Sequence, residues 1–435
     1  MKIFIRSMVM LACIAALILP AVAQIHWAVP SANSLPHDVY IRHVDRTVLG
    51  EDVVHYRFDV VVGRGEFDRI RLHRIIREKH PYQPIHTVNG VLLFPGGPNS
   101  VEMIFMEPVI STVPNWDQSI TAFLAKNNID VWAMDYRWAL VPASTTDFKF
   151  MKSWGVERDV KDARIALSLA RLIRGATGQS LGKLHVLGFS YGTFMAYAIG
   201  SQETQIPPSL RSAKGLIAVD WGMEFPADSD LRTTSCNVIP QYQSLLDTGI
   251  YNDSFGATLK QFVDLARSAP DEPSPFAPGF TNYEFVLFVG ASPAPPPPDW
   301  HFVAGIFNDA GISTGLQYTD PHLWIDVLAA VPPYMPTRAD LEANKIQCYQ
   351  GLAPFEDHLR QVTLPILYVG AKGGTGELGY YTLPFTASTD ITKFTVQLHP
   401  DDQSELDFGH ADLFTASNAE TLAWKPVLDW IMAHR

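Results

Sequence analysis

Short runs of β-branched and apolar residues alternate along this chain with stretches whose apolar side chains recur at helical spacing, and no other feature restricts the fold as much. A strand buried on both faces reads as a continuous apolar run, and a helix is the usual crossover between parallel neighbours. The alternation therefore calls for an α/β domain whose mostly parallel sheet is covered by helices on both faces. Residues 39–44 and 53–62 read as an opening antiparallel pair. Further strands fall at 90–94, 129–134, 184–187, 215–219, 366–369 and 394–398, with helices at 160–173 and 419–432. Between 221 and 363 the rhythm breaks into an aromatic- and proline-rich stretch with helical patches at 259–266 and 323–331. This stretch contains Pro293-Ala294-Pro295-Pro296-Pro297-Pro298, a stiff extended loop by its locked φ angles. The expected organisation is a core made of 24–220 and 364–435, with 221–363 inserted as a cap. Trp300, Phe302, Trp324 and Tyr334 read first as buried aromatics of the cap core and second as the lining of a substrate pocket.

The first residues bear on compartment. Lys2 and Arg6 flank the start of an apolar stretch at 7–19, and Ala21-Val22-Ala23 is a small-residue cleavage pattern, so 1–23 reads as a signal peptide and Gln24 as the mature start. Pro20 and Gln24-Ile25-His26 close the apolar run short of a spanning helix, so a secreted or periplasmic location without a stable membrane anchor is expected. Taking Lys2 and Arg6 from the 33 basic residues leaves 31 against 45 acidic, a formal charge of −14 that argues against nucleic acid as a partner. Cys13 leaves with the leader. In an oxidising compartment the remaining pair, Cys236 and Cys348, is expected to form a disulfide that ties the insert to itself.

The pattern G-x-S-x-G occurs at Ser180, Ser190 and Ser313, so context has to choose among them. An exposed nucleophile needs a sharp turn from a strand into a helix. Ser180 follows a helix and precedes a strand, and Ser313 has no apolar strand before it. Ser190 alone, in Gly188-Phe189-Ser190-Tyr191-Gly192, has a buried run upstream and the small-residue, helix-competent run Thr193-Phe194-Met195-Ala196-Tyr197-Ala198 downstream. A serine hydroxyl needs a base, and a base of this kind follows the last strand. There Gly409-His410 is preferred to His399 at the strand end and to His434 near the terminus. The acid that would orient the histidine stays open. Glu377, in the glycine-rich loop after 366–369, is read first. Asp220, ending 215–219, is second, with Asp390 and Asp401 behind it. The backbone amides of Tyr191 and of Gly97, in Pro95-Gly96-Gly97-Pro98, are the candidate oxyanion donors.

These residues together resemble the α/β-hydrolase superfamily from about residue 39 onward, and the Ser-Tyr-Gly-Thr run and Gly-Gly-Pro turn are similar to the proline iminopeptidase and tripeptidyl aminopeptidase group. The resemblance implies an eight-stranded sheet, a cap over the serine and no cofactor. Members often have a histidine before the Gly-Gly turn, where this chain has Pro95, and an acid directly after the strand that here ends in Val369-Gly370, where it has none. Gly374-Thr375-Gly376-Glu377-Leu378-Gly379 matches a dinucleotide fingerprint but is followed by Pro384 rather than a helix, and no HExxH or paired CxxC offers a metal site. The expected function is cleavage of a small ester substrate through an acyl-enzyme. A peptide substrate is the alternative, with Glu224, Asp228 and Asp230 holding its ammonium, and a non-catalytic binding module is the reading from another class.

Overall fold

The computed structural model describes residues 39–292, 300–349 and 358–435; the leader with Cys13 and the proline run fall outside them. Nine strands follow one another across a single sheet: β1 (Tyr40–Gly50), β2 (Val53–Val61), β3 (Arg69–His80), β4 (Asn89–Phe94), β5 (Ile129–Asp135), β6 (Leu184–Phe189), β7 (Ala213–Val219), β8 (Ile366–Ala371) and β9 (Ile391–Val396). Their spatial order is β1-β2-β3-β5-β4-β6-β7-β8-β9, with the short strand Gln83–Pro84 paired to β3 off this path. All pairings from β5 to β9 are parallel, while β1, β2 and β3 are antiparallel and β3 joins β5 antiparallel. β4, β5 and β6 are buried at every position, which is why they read as unbroken apolar runs.

The eight expected strands become nine because of β3, which the apolar pattern does not reveal. Its sequence, Arg69-Ile70-Arg71-Leu72-His73-Arg74-Ile75-Ile76-Arg77-Glu78-Lys79-His80, carries charge throughout, yet most of the strand is buried. Burial is tolerated because carboxylates on the flanking strands pair with it. Arg74 makes a two-point contact with Asp130 at 2.9 and 2.8 Å, His73 lies 3.0 Å from Asp135, and Arg71 donates to Asp59 at 3.1 Å. At the other edge β9 starts three residues earlier than read, and its first three residues are exposed, as an edge strand permits.

Helices α1 (Ile120–Lys126), α2 (Val156–Ala176) and α3 (Gly192–Glu203) are the crossovers of the first half. Between β7 and β8 lie α4 (Asp230–Asp247), α5 (Phe255–Ser268), α6 (Asn282–Ala291), α7 (Pro321–Ala329) and α8 (Thr337–Gln347). They form two groups, α4 packed on α8, and α5, α6 and α7 packed together. Cys236 in α4 and Cys348 at the end of α8 form a disulfide with their Cα atoms 5.0 Å apart. The final helix is not continuous. A π turn over Glu420–Trp424 leads into α9 (Lys425–Ala433), whose second residue, Pro426, has no N–H to continue an α ladder backward. Apolar side chains fill both faces of the sheet. Among the described residues, no helix is long and apolar enough to cross a membrane.

Candidate active site

Ser190 sits in the turn between β6 and α3 with φ of +53°, a left-handed conformation that costs a non-glycine residue about 1–3 kcal/mol. The surrounding backbone is packed tightly enough to hold it there. A Cβ on Gly188 would lie 2.0 Å from the Gly192 carbonyl oxygen, and one on Gly192 would lie 2.2 Å from that of Phe94. The Ser190 N–H donates to the Val219 carbonyl at 3.0 Å, tying the turn to the end of β7. The Pro95-Gly96-Gly97-Pro98 turn at the end of β4 comes up beside it, since a Cβ on Gly96 would stand 2.9 Å from Ser190 Cβ and one on Gly97 3.6 Å from Tyr191 Cβ. The other two serines are elsewhere. Ser180 is exposed and accepts from the Gly182 N–H, while Ser313 is buried at the start of a short strand.

His410 is buried, and its Nδ1 lies 2.6 Å from Asp220 Oδ2. Asp220 is fully enclosed, with φ of +49°, and both its oxygens are engaged. Oδ1 accepts from the amides of Ala371 at 2.8 Å and Gly376 at 2.9 Å. Oδ2 accepts from the Thr375 amide at 3.1 Å as well as facing His410. The glycine-rich loop after β8, read as the source of the acid, thus supplies the amides that grip an acid from the neighbouring strand. Close approach requires its glycine: a Cβ on Gly374 would lie 2.1 Å from Asp220 Oδ2.

The first-read acid, Glu377, is displaced by this arrangement. It is exposed on the turn after β8, and the carboxylate at His410 is that of Asp220. The remaining competitors are paired with one another or with surface groups: Asp390 faces His434 at 3.2 Å, Asp401 pairs with Lys372 at 2.7 Å, and His399 meets the Tyr318 hydroxyl at 3.0 Å.

The histidine loop is fastened to the insert. The His410 amide donates to the His301 carbonyl at 2.9 Å and the Ala411 amide to that of Phe302 at 2.7 Å. Asp412 accepts from the Gly409 and Ala304 amides, each at 2.8 Å, and from the Thr319 hydroxyl at 2.6 Å; burial pushes its carboxyl up to about 6. Aromatic rings surround the imidazole, with centroids at 4.5 Å (Phe189), 5.3 Å (Trp300), 6.1 Å (Phe302) and 6.2 Å (Trp221).

Two cavities meet at Ser190, both lined by Gly97, Pro98, Phe255 and Phe302 as well as the serine. The larger, about 360 Å³, includes Tyr191, Trp221 and Trp300. The smaller, about 70 Å³, includes His410 and is walled by Met103, Ile104, Leu259 and Trp324. Trp300, Phe302 and Trp324 line the cavities, the second of their two readings, whereas Tyr334 lines neither and donates to the Ala143 carbonyl at 2.7 Å. Glu224, Asp228 and Asp230 do not line either cavity. The carboxylates in the larger one are Asp253 and Asp340, which nothing in the sequence marked. Beneath the serine, the Tyr191 hydroxyl donates to Asp159 in α2 at 2.8 Å, and burial pushes that carboxyl up to about 8.

On the antiparallel part of the sheet, His55, His73 and Glu102 bring possible metal-ligating atoms within 4.8 Å of one another. The two histidines are already joined to each other at 2.8 Å, and His73 to Asp135.

The strand order and the position of the serine turn define the α/β-hydrolase fold, and this chain has it. A structure described as a "putative lipase" from Sulfolobus solfataricus superposes with a TM-score of 0.59 at 20% identity, covering 90% of this chain and 99% of that one. Two looser similarities are a soluble variant of monoglyceride lipase from Saccharomyces cerevisiae (TM-score 0.46, 11% identity, 85% of this chain and 93% of that) and proline iminopeptidase from Mycobacterium smegmatis (0.40, 13%, 90% and 98%). No family model matches the sequence, and no curated protein matches it.

Proposed function

We propose that the protein is a serine hydrolase that cleaves carboxylic esters through an acyl-enzyme. The observation that carries this reading is the buried contact of His410 with Asp220, opening onto the same small cavity as Ser190. In the proposed reaction His410 Nε2 takes the proton as Ser190 Oγ attacks the ester carbonyl. Asp220 receives the Nδ1 proton's hydrogen bond and steadies the imidazolium that forms. Three backbone amides fix the carboxylate, so the base is oriented before substrate arrives. The amides of Gly97, which lines both cavities, and of Tyr191, which lines the larger, are the donors proposed for the tetrahedral oxyanion. His410 returns the proton to the departing alcohol, and water then releases the acid by the same steps in reverse. The Cys236–Cys348 disulfide supports the export reading of the leader, because such bonds persist in oxidising compartments.

The test is release of p-nitrophenol from p-nitrophenyl acetate by the purified protein beside its Ser190→Ala and Ser180→Ala variants. Turnover lost only in Ser190→Ala is expected. Absence of turnover in the wild type, with hydrolysis of aminoacyl p-nitroanilides instead, would replace the esterase with an aminopeptidase.

A further inference from the structure

The two cavities that meet at Ser190 differ in size, in lining and in access to the histidine. His410 lines the smaller and not the larger, while Tyr191 lines the larger and not the smaller. The smaller, about 70 Å³, has room for roughly five water-sized groups, enough for an alkoxy oxygen and about four carbons. Its walls include Met103, Ile104, Leu259, Val289, Val327 and Leu328. Apart from Asn99, Ser190 and His410, the described side chains around it are apolar or aromatic. The larger, about 360 Å³, is bounded by Phe194, Met335 and an aromatic corner in which Trp221 and Trp300 meet edge to face with centroids 6.3 Å apart.

An ester held at Ser190 has two arms, and the proton transfer tells them apart. The departing alkoxide oxygen takes its proton from His410, so it has to lie within hydrogen-bonding reach of the imidazole, whereas the acyl chain is never protonated. The cavity that contains His410 therefore receives the alcohol arm, and the one that contains Tyr191 receives the acyl arm. We propose that the substrate class is the short-alkyl ester of a bulky, aryl-bearing carboxylic acid. An alcohol of up to about four carbons fills the small cavity, and the ring of the acid packs against Trp221 and Trp300. This assignment rests on the hydrolase reading and adds to it which side of the carbonyl is bulky. p-Nitrophenyl acetate is exempt, because nitrophenolate is a stable anion that departs without a proton and so can occupy the larger cavity.

The test compares two isomers, ethyl 4-phenylbutanoate and 4-phenylbutyl acetate, which have the same atoms and differ in the side of the carbonyl that carries the ring. Acid release by the purified protein is followed by pH-stat titration. The kcat/KM for the ethyl ester is expected to exceed that for the acetate by at least about tenfold, and along the methyl, ethyl, butyl and hexyl 4-phenylbutanoates it should fall by about tenfold between butyl and hexyl. Leu259→Ala opens the small cavity and should bring butyl and hexyl to within about threefold of each other. Val289→Ala, at a partly exposed position, is the milder opening if a thermal melt shows that Leu259→Ala does not fold. A preference for 4-phenylbutyl acetate, or equal values for the two isomers, overturns the assignment of the arms, while turnover of p-nitrophenyl acetate keeps the hydrolase. A butyl-to-hexyl ratio unmoved in the folded variants overturns the small cavity as the alcohol site. No turnover of any ester, p-nitrophenyl acetate included, removes the hydrolase reading and this assignment with it.

Discussion

Asp220 and Asp340 are carboxylates on two sides of the Ser190 site, the first fully enclosed and the second partly exposed, and the chain treats them in opposite ways. Asp220, at the end of a central strand, has both oxygens engaged by three backbone amides and an imidazole. Asp340, on a helix of the insert, has an oxygen with no donor at all. A fully satisfied carboxylate is locked in place, so under the proposed reaction the histidine is oriented before any substrate enters. An unsatisfied one is held by the fold around it. In the proposed reaction the sheet would carry the chemistry, while the insert lines most of the larger cavity.

The largest effect expected at the satisfied end is from Ser190→Ala, which should lower kcat for p-nitrophenyl acetate by about 10⁴–10⁶, with Ser180→Ala close to wild type. Asp220→Asn should follow, with a loss of about 10³–10⁴ in kcat, because the amide cannot hold the working tautomer of His410. If Glu377→Gln lost as much as Asp220→Asn, the contrast between a gripped acid and an exposed one would fail; kcat within about twofold of wild type is expected for an exposed side chain away from the reacting atoms.

A third carboxylate, Asp159, extends the comparison below the serine. Its folded value of about 8 lies above that of an unfolded aspartate, so the stability it contributes is fully present at acid pH and is lost as pH rises from about 4 through 8. Asp159→Asn should retain an acceptor for the Tyr191 hydroxyl while reducing the fall in unfolding free energy between pH 5 and pH 8, on the order of a few kcal/mol by denaturant titration. An unchanged fall would show that Asp159 ionises freely. In the insert, replacing Cys236 and Cys348 by serine should cost about 2–4 kcal/mol of stability in denaturant. Ester hydrolysis at 25 °C should be the lesser casualty, since the bond joins α4 to α8 and not to the sheet.

What the sequence showed and hid follows the same division. The parallel strands were legible because burial on both faces leaves a continuous apolar run, and Ser190 was legible because its turn requires glycines on both sides between a strand and a helix. β3 was hidden because its charges are neutralised by Asp59, Asp130 and Asp135 on other strands, a pairing that no local pattern contains. Glu377 was read ahead of Asp220 because loop position was the available signal, whereas in the structure three amides from the end of β8 and the loop after it converge on Asp220, the carboxylate that meets His410. Some sign was present: that loop is rich in glycine and lacks a carboxylate next to the strand, as a loop that wraps another residue's acid would. Asp253 and Asp340 carried no sign, since they come to one cavity through the pairing of Asn252–Asp253 with Met335–Pro336 just ahead of α8.

The measurement that bears hardest on this reading is covalent labelling with a fluorophosphonate, followed by peptide mass spectrometry. One adduct per chain, located on Ser190 and strongly slowed in His410→Ala, is the predicted result. An adduct on Ser180 or Ser313, or no adduct in folded wild-type protein, would contradict it.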